Sequence, residues 1–315
     1  MKDLSKKIID GYQINKEEAI QLLEFPLELL TEGAQNIRKA LCGDSFDMCT
    51  IINAKSGHCS EDCKYCAQSR HYNTKADVFP LLSNEKIVKD ALENEKNGVN
   101  RYSLVTSGKR ASKEEVDKLC NAFKAIKKVS EIKLCASNGL LDYDSFLKLK
   151  KSGVTRYHNN LETSRKFFPS ICSTHSYDEK INTIKAAQKA GLNVCSGGII
   201  GLGESNEDRI DMAFELRDLN INSIPLNLLN PIEGTPLFNI AKVSEEEFIR
   251  IAAIFRYINP KAIIRLAGGR SLLTNFGKRL FKSGVNGTIS GNLLTTYGNS
   301  TANDIEMIKE LNFKI

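Results

Sequence analysis

Most of this 315-residue chain alternates short apolar runs with amphipathic stretches of helical spacing. The apolar runs span residues 49–54, 101–106, 132–137, 156–161, 193–200, 223–228, 262–266 and 285–290. The amphipathic stretches between them span residues 85–95, 113–127, 142–151, 177–189, 206–219, 245–257 and 272–282. Alternating strands and helices form parallel sheets, and eight such repeats are typical of a closed barrel. We therefore predict an α/β fold, a (β/α)8 TIM-type barrel, with a doubly wound open sheet as the alternative.

The residues before the first apolar run have helical spacing instead. One amphipathic stretch covers residues 16–23, and Pro26 opens a second that continues to about residue 41. No linker rich in proline or serine interrupts the chain after this point. We predict an N-terminal helical extension of residues 1–45, followed by a barrel domain of residues 46–315.

Composition excludes several classes of partner. The net charge of +6 comes from lysines and arginines scattered among acids, not from a basic stripe with interleaved aromatics, so we expect no nucleic-acid partner. No apolar run approaches the ~20 residues that span a membrane. The N-terminus lacks the apolar segment of a signal peptide, and nine cysteines form an odd count. These features favour a cytoplasmic protein whose cysteines bind metal.

Three cysteines follow the first predicted strand at close spacing: Cys59, Cys63 and Cys66. Loops after barrel strands carry function, and three thiolates on one short polar loop can hold a soft metal centre. A disulfide framework requires a secreted context, and structural zinc usually takes a second ligand pair that this sequence lacks. His58 is a possible fourth ligand, although its position next to Cys59 would strain the loop. The spacing favours an iron–sulfur cluster with one open iron.

The pattern Cys59-x-x-x-Cys63-x-Tyr65-Cys66 resembles the signature of the radical S-adenosylmethionine superfamily. The flanking residues 53–57 and 67–69 resemble the biotin synthase family in particular. The resemblance implies that the three thiolates hold a [4Fe–4S] cluster whose fourth iron binds S-adenosylmethionine, with Tyr65 near the adenine. In that superfamily an electron from the cluster cleaves the sulfonium and produces a 5′-deoxyadenosyl radical.

Two further cysteines, Cys135 and Cys195, lie in the third and fifth predicted strands, and Arg265 lies in the seventh. On their own, a strand cysteine is usually a small apolar filler and a strand arginine part of a buried ion pair. The family resemblance implies instead that these three residues bind an auxiliary cluster, a [2Fe–2S] cluster or a variant of it.

The sequence departs from the family pattern at Ser103, where the family has the first cysteine of the auxiliary cluster. A hydroxyl is a much poorer iron ligand than a thiolate. Because Cys49 lies in the neighbouring first strand, we hypothesise that Cys49 supplies the missing thiolate. The remaining cysteines fall on predicted helices or loops and are expected to be structural or free thiols; they are Cys42, Cys120 and Cys172.

Polar residues at the ends of the fourth and sixth strands are candidates for ligand binding, although they can also be loop caps or turn formers. The resemblance implies that Asn160 and Asn227 bind the ureido ring of dethiobiotin. It implies that Glu162, where the family often has Asp, binds the ribose of S-adenosylmethionine, with Ile200 against the adenine. His158 stands where the family often has Asn, and we assign it no role.

The resemblance implies a sulfurtransferase that converts dethiobiotin to biotin, with sulfur from the auxiliary cluster. No protein side chain is expected to break the strong C–H bonds, since only a cofactor can supply that chemistry. A homodimer and an electron donor such as flavodoxin or ferredoxin are implied in the same way. The alternatives are another radical enzyme on a similar barrel, such as a HydE-like maturase or a mutase of the pyrrolysine pathway, and a non-catalytic iron–sulfur carrier.

Overall fold

A computed structural model describes residues 2–315 of the chain. Its strands lie where the apolar runs predict them. They are β1 (Asp47–Lys55), β2 (Arg101–Thr106), β3 (Lys133–Ser137), β4 (Val154–His158), β5 (Asn193–Cys195), β6 (Gly198–Ile200), β7 (Ser223–Leu228), β8 (Ile263–Leu266) and β9 (Gly287–Ile289). Every pairing between them is parallel, which confirms the class predicted from the sequence.

The sheet closes on itself, which excludes the open doubly wound alternative. Its strand order is β5-β4-β3-β2-β1-β9-β8-β7-β6, and Cys195 of β5 also pairs with Ser223 of β7. β5 and β6 are two segments of one interrupted strand, so the barrel has eight strands in all. Gly197 lies at the break, where a Cβ atom would sit 1.9 Å from the carbonyl oxygen of Pro225. Glycine therefore allows the interrupted strand to approach β7 closely.

The helices are amphipathic and cover the outside of the barrel. They are α1 (Lys2–Ile9), α2 (Lys16–Gln21), α3 (Leu27–Cys42), α4 (Asn84–Lys96), α5 (Lys113–Lys127), α6 (Tyr143–Lys151), α7 (Tyr177–Lys189), α8 (Asn206–Asp218), α9 (Glu245–Ile258), α10 (Lys278–Phe281) and α11 (Thr301–Glu310). Serine or aspartate side chains cap the amino ends of most of the barrel helices by accepting a bond from the third helical amide. These caps explain why the helices begin close to where the sequence predicts them.

One predicted helix is broken. Residues 272–282 form short 3-10 turns followed by α10, because Asn275 and Phe276 have left-handed backbones with φ of 48° and 51°. The buried pair between Arg270 and Asp304, 2.7 Å from Nη2 to Oδ1, ties this segment to α11. Tertiary contacts therefore override the helical spacing of the segment.

The N-terminal helices pack against the outer helices of the barrel, and α3 packs against α9. The hydroxyl of Tyr257 donates to the carbonyl of Leu30 at 3.3 Å, and Arg217 Nη1 donates to the carbonyl of Ile14 at 2.9 Å. Leu30 and Ile37 are fully buried. The helical extension is thus an integral layer of the core, and its separation as residues 1–45 stays a prediction.

Among residues 2–315, no helix is both long enough and apolar enough to cross a membrane.

Candidate active site and metal centres

A cavity of about 430 Å³ occupies the barrel interior. Inward positions of a (β/α)8 barrel usually carry bulky aliphatic side chains that fill the centre. Here many of these positions carry cysteine, serine, arginine, histidine or asparagine, which leaves a polar space. The strand residues that line it include Cys49, Arg101, Ser103, Cys135, Arg156, His158, Cys195, Asn227 and Arg265. The alternation of inward and outward residues along each strand brings these separated positions together.

The cysteine loop between β1 and α4 forms part of the cavity wall. Cys59, Cys66 and Tyr65 line the cavity, whereas Cys63 points toward the loop after β4. Gln68 fixes the loop by accepting bonds from Ser56 Oγ and the Gly57 amide, both at 3.1 Å. His58 is exposed, so its side chain does not join the three sulfurs.

Burial determines the protonation of two of these thiols in the metal-free protein. It raises the pKa of Cys59, and it raises the pKa of Cys66 to about 11. Both are therefore thiols at neutral pH until a metal displaces the proton. Three soft sulfur donors on one loop suit an iron–sulfur centre and leave one coordination position without a protein ligand.

A second group of three thiols lies among the inward strand residues: Cys49, Cys135 and Cys195. We call it the lower thiol group. All three are buried, and the charges of both Cys135 and Cys195 contribute to the raised pKa of Cys49, so the three thiols share one microenvironment. Burial is the largest cause and raises the pKa of Cys49 to about 12. Arg265 Nη1 donates to Cys49 Sγ at 3.0 Å, and Arg101 Nη1 donates to Cys135 Sγ at 3.6 Å.

Three arginines and one aspartate surround this lower thiol group. Asp47 Oδ1 lies 2.7 Å from Arg265 Nη2 and 3.6 Å from Arg156 Nη1, and Asp47 Oδ2 lies 3.8 Å from Arg101 Nε. Burial acts to raise the pKa of Asp47, but the three guanidinium groups outweigh it and lower the pKa to about 2. One carboxylate therefore balances three cations, which leaves local positive charge inside the barrel.

The donors around the lower thiols are incompletely satisfied. Arg101 Nε, Arg156 Nη1 and Arg265 Nε are buried without a hydrogen-bond partner among residues 2–315. Buried donors of this kind require an acceptor. Three sulfur donors, excess positive charge and N–H groups without a hydrogen bond together fit an anionic sulfide-containing cluster.

Cys195 differs from the other two lower thiols. Burial acts to raise its pKa, but a hydrogen bond with the His158 side chain and the charges of Arg265 and Arg156 lower it to about 6. Ser223 Oγ also donates to its sulfur at 3.2 Å. The Cys195 thiol therefore loses its proton more readily than the thiols of Cys49 and Cys135, whose pKa values burial raises.

Ser103 is in register with Cys135 across the β2–β3 pair and lines the same cavity. Its hydroxyl is a weak soft-metal ligand. Cys49, on the adjacent strand, offers a buried sulfur beside Arg265. The structure thus places Cys49 with Cys135, Cys195 and Arg265, as the sequence-based hypothesis requires; whether the four bind a cluster together stays a prediction.

Asn160 and Glu162 follow β4 at the level where β5 is interrupted. The Gly197 amide donates to Asn160 Oδ1 at 3.1 Å, and Asn160 Nδ2 donates to Glu162 Oε2 at 3.4 Å. Glu162 has a left-handed backbone with φ of 73°. Gly198 permits this conformation, since a Cβ atom there would lie 2.4 Å from the Glu162 carbonyl oxygen. The Glu162 carboxylate also faces Tyr65, whose pKa is raised by burial and then by that negative charge.

Asn227 lies in β7 and its carboxamide is held at both ends. Its Nδ2 donates to the Gly198 carbonyl at 3.0 Å, and its Oδ1 accepts from the Gly268 amide at 2.7 Å. An amide has two donors and two acceptor positions, so one of each remains for a ligand.

The prediction for Ile200 is wrong by one position. The Ile200 side chain is fully buried in the apolar core, and Ile199 lines the cavity instead. Successive side chains of a strand point to opposite faces, so Ile199 shares the inward face of Cys195 despite the break between β5 and β6. The alternation was readable in the sequence.

Sequence reasoning missed the cations and the carboxylate around the lower thiols. Arg101 and Arg156 each stand at the beginning of an apolar run, which is unusual for a buried strand and is the signal that could have revealed them. It also missed Cys172 and His175, whose C-x-x-H spacing lies in the loop after β4. Their side chains contact Cys63 and Glu61 of the cysteine loop.

Comparison with known proteins agrees with this geometry. Residues 55–216 match the family model of the radical SAM superfamily, and residues 225–314 match that of the Biotin and Thiamin Synthesis associated domain. The chain is 55% identical to a biotin synthase of Clostridium botulinum (strain Hall) over 310 residues, 98% of each chain. It is also 55% identical to a biotin synthase of Brachyspira hyodysenteriae over 313 residues, 99% of this chain and 94% of the relative.

Solved structures support the fold. A crystal structure of methylornithine synthase (PylB) superposes with a TM-score of 0.86 at 20% identity, covering 99% of this chain and 96% of that chain. A crystal structure of HydG, a maturase of the [FeFe]-hydrogenase, gives a TM-score of 0.84 at 18% identity, covering 99% and 74%. At these identities the likeness concerns the barrel alone. The full-length relatives and the two family models show that this chain belongs to the biotin synthase family of radical S-adenosylmethionine enzymes.

Proposed function

We propose that the protein inserts sulfur into dethiobiotin to form biotin. The observation that carries this proposal is the presence of two separate thiol groups in the wall of one cavity, one on the cysteine loop and one among the inward strand residues. A radical enzyme that only cleaved S-adenosylmethionine and abstracted hydrogen would need the first group alone. The arginines beside the second group would have no anion to neutralise in such an enzyme.

Cys59, Cys63 and Cys66 would hold the [4Fe–4S] cluster, with S-adenosylmethionine beside it. Bound there, the pair supplies a radical able to abstract hydrogen from an unactivated carbon. Tyr65 and Glu162 would position the nucleoside, Glu162 by accepting bonds from the ribose hydroxyls. Ile199 replaces Ile200 in this proposal as the apolar contact for the adenine, because its side chain lines the cavity.

Cys49, Cys135, Cys195 and Arg265 would hold the auxiliary cluster, which supplies the sulfur. Cys49 takes the role that Ser103 cannot fill, supported by its 3.0 Å contact with Arg265 Nη1. Arg101 and Arg156 would stabilise the negative charge of the cluster through donors that make no hydrogen bond and lie 3.6–3.8 Å from Asp47. The altered ligand set allows a cluster other than [2Fe–2S].

Asn160 and Asn227 would orient the substrate by hydrogen bonds to its ureido ring. Both side chains are fixed by backbone partners, so little rotational freedom is lost on binding. The barrel wall would shield the space between the two thiol groups from bulk water, which would protect reactive species.

The decisive test is anaerobic incubation of the reconstituted protein with dethiobiotin, S-adenosylmethionine and dithionite. Biotin formation supports the proposal. Formation of 5′-deoxyadenosine without biotin would indicate another radical enzyme, and absence of both would indicate an iron–sulfur carrier. Iron and sulfide analysis adds a second criterion, since one cubane cluster without further sulfide would contradict a sulfur donor.

The family resemblance extends the proposal to a flavodoxin or ferredoxin as electron donor, to a homodimer and to a cytoplasmic location. Sedimentation of the anaerobic protein measures the oligomeric state. Support of 5′-deoxyadenosine formation by a reduced flavodoxin or ferredoxin, without dithionite, tests the donor.

A further inference from the structure

Cys172 and His175, which have no role in the proposed function, lie against Cys63 of the cysteine loop. Cys63 Sγ lies 3.7 Å from Cys172 Sγ, and Cys172 Sγ lies 3.2 Å from His175 Nδ1 and 3.8 Å from Nε2. One possible ligand atom from each of the three residues lies within 4.8 Å of the other two. The His175 side chain is only 6% exposed.

The loop that carries Cys172 and His175 is fastened to the cysteine loop. The Lys64 amide donates to the Ile171 carbonyl at 2.9 Å. Asp62 Oδ1 accepts from the amides of Ser173 and Thr174 at 2.8 and 3.2 Å, and the Asp62 amide donates to Thr174 Oγ1 at 3.2 Å. These bonds hold the two loops in register, so the contact between Cys63 and Cys172 is a built feature.

The distances match a tetrahedral metal site. Ligand bonds of about 2.3 Å for sulfur and about 2.0–2.1 Å for imidazole nitrogen place two sulfurs ~3.8 Å apart and a sulfur and a nitrogen ~3.6 Å apart. The observed separation of 3.7 Å between the two sulfurs is close to the first value, and the distances of 3.2 and 3.8 Å from Cys172 Sγ to the two ring nitrogens of His175 lie on either side of the second.

Glu61 completes this arrangement from outside. Its Oε2 lies 2.6 Å from His175 Nδ1 and accepts from Thr174 Oγ1 at 2.9 Å, and its side chain is 7% exposed. A carboxylate on one ring nitrogen of a histidine directs the other nitrogen toward a metal and increases its basicity. Nothing in the roles proposed for Cys59, Cys63 and Cys66 requires this histidine or this carboxylate.

We propose that Cys63, Cys172 and His175 bind a single divalent transition-metal ion in the cluster-free protein, with Glu61 orienting His175. The physiological ion is Fe²⁺. It binds at this site first and is then incorporated into the [4Fe–4S] cluster. The assembly step rests on the proposed cluster role of Cys63, whereas the metal site itself does not. Because Cys63 belongs to both centres, single-ion binding and a complete cluster exclude each other.

Anaerobic titration of the full-length, cluster-free protein with Co²⁺ tests the site. Thiolate-bound tetrahedral Co²⁺ absorbs strongly in the visible and near-ultraviolet, so the site is observed directly. We expect Cys172→Ser to bind one equivalent of Co²⁺ less than the wild type. The absorption that this equivalent of Co²⁺ produces in the wild type should be absent. Cys59→Ser is the matched control, since Cys59 lies on the same loop but outside the group of Cys63, Cys172 and His175, and this variant should retain the Co²⁺ equivalent of that group.

The opposite pattern, loss in Cys59→Ser and retention in Cys172→Ser, would show that the cysteine loop binds the ion without Cys172 and would overturn the proposal. Glu61→Gln should weaken Co²⁺ binding about 10- to 100-fold, as removal of such an outer partner does. His71→Gln is the control for loss of a histidine on the cysteine loop, because His71 is exposed and lies outside the proposed site. This variant should bind Co²⁺ with the affinity of the wild type. Unchanged affinity in Glu61→Gln would contradict the assigned orientation of His175.

The entry role is tested by the rate of cluster assembly from limiting Fe²⁺ and sulfide, followed by visible absorption. Cys172→Ser should assemble several-fold more slowly and reach the same final iron content, because the cluster itself needs other thiols. An unchanged rate would overturn the entry role. Biotin formation is measured separately, so failure of the metal site and failure of the proposed function give different results.

Discussion

Asp47 faces three arginines at the lower thiol group. Its contacts come from three strands, through Arg101 of β2, Arg156 of β4 and Arg265 of β8. The remaining positive charge is unfavourable in a buried space unless an anion is bound. The ionised form of Asp47 therefore stabilises the protein before any cluster is present, and this contribution has a defined pH dependence.

We predict that Asp47→Asn lowers the free energy of unfolding of the cluster-free protein by about 2 kcal/mol or more at pH 6. The pKa falls from 3.8 to about 2 on folding, and each unit corresponds to about 1.4 kcal/mol. A lowered pKa in the folded state means that this stabilisation is present above pH 4 and is lost as the pH falls toward 2. Urea unfolding at several pH values measures it.

The control for this series is Asp117→Asn, since Asp117 lies on α5 with its side chain 58% exposed. It should change stability little at any pH. The difference between wild type and Asp47→Asn should shrink by about half near pH 3. A difference independent of pH from 6 to 3 would contradict the assigned role of Asp47.

The Cys49 hypothesis gives a second prediction at the same scale. Cys49→Ser should lose most of the iron and sulfide of the auxiliary cluster and keep the [4Fe–4S] cluster, because a hydroxyl at that position repeats the deficiency of Ser103. Cys120→Ser is the matched control, as Cys120 is a buried thiol on α5 outside the cavity. Mössbauer spectra and chemical analysis of the two variants measure the outcome. Retention of the auxiliary signal in Cys49→Ser would exclude Cys49 as a ligand.

At the scale of elements, eight repeats predicted the barrel because period-two and helical patterns arise from local burial. The break in the fifth strand was not predicted, since it depends on the contact between Gly197 and Pro225 of another strand. The break of residues 272–282 likewise depends on Arg270, whose partner Asp304 lies on α11. Contacts between residues distant in sequence leave little trace in local periodicity.

The Arg270–Asp304 pair gives a prediction about α11. Asp304 accepts two bonds from Arg270, at 2.8 and 2.7 Å, and one each from Ser290 and Asn299, and it is 1% exposed. We expect Asp304→Asn to destabilise the protein by about 3–5 kcal/mol, since it leaves a buried guanidinium unpaired. Urea unfolding measures the loss. Glu306→Gln, on the exposed face of the same helix, should change stability by less than about 0.5 kcal/mol, and equal effects of both substitutions would contradict this assignment.

At the scale of the whole molecule, the sequence located the cavity because parallel strands bring their inward residues into one space. The three cysteines of the loop and the two of the strands were readable as separate groups by spacing and by strand membership. The charged residues around the strand cysteines were not predicted, because Asp47, Arg101 and Arg156 meet only after the barrel closes. Cys172 was assigned to the free thiols for the same reason, as its contact with Cys63 spans 109 residues.

The two thiol groups belong to different elements, so their functions should separate. Cys59→Ser should abolish cleavage of S-adenosylmethionine and leave the iron bound by the strand cysteines unchanged. Cys135→Ser should retain 5′-deoxyadenosine formation under dithionite but lose biotin formation by at least about 100-fold, because the cleavage step needs the loop and sulfur insertion needs both groups. Anaerobic assays of the two products with iron analysis of each variant measure this. If Cys135→Ser formed biotin at the wild-type rate, sulfur would come from a source other than the lower thiol group.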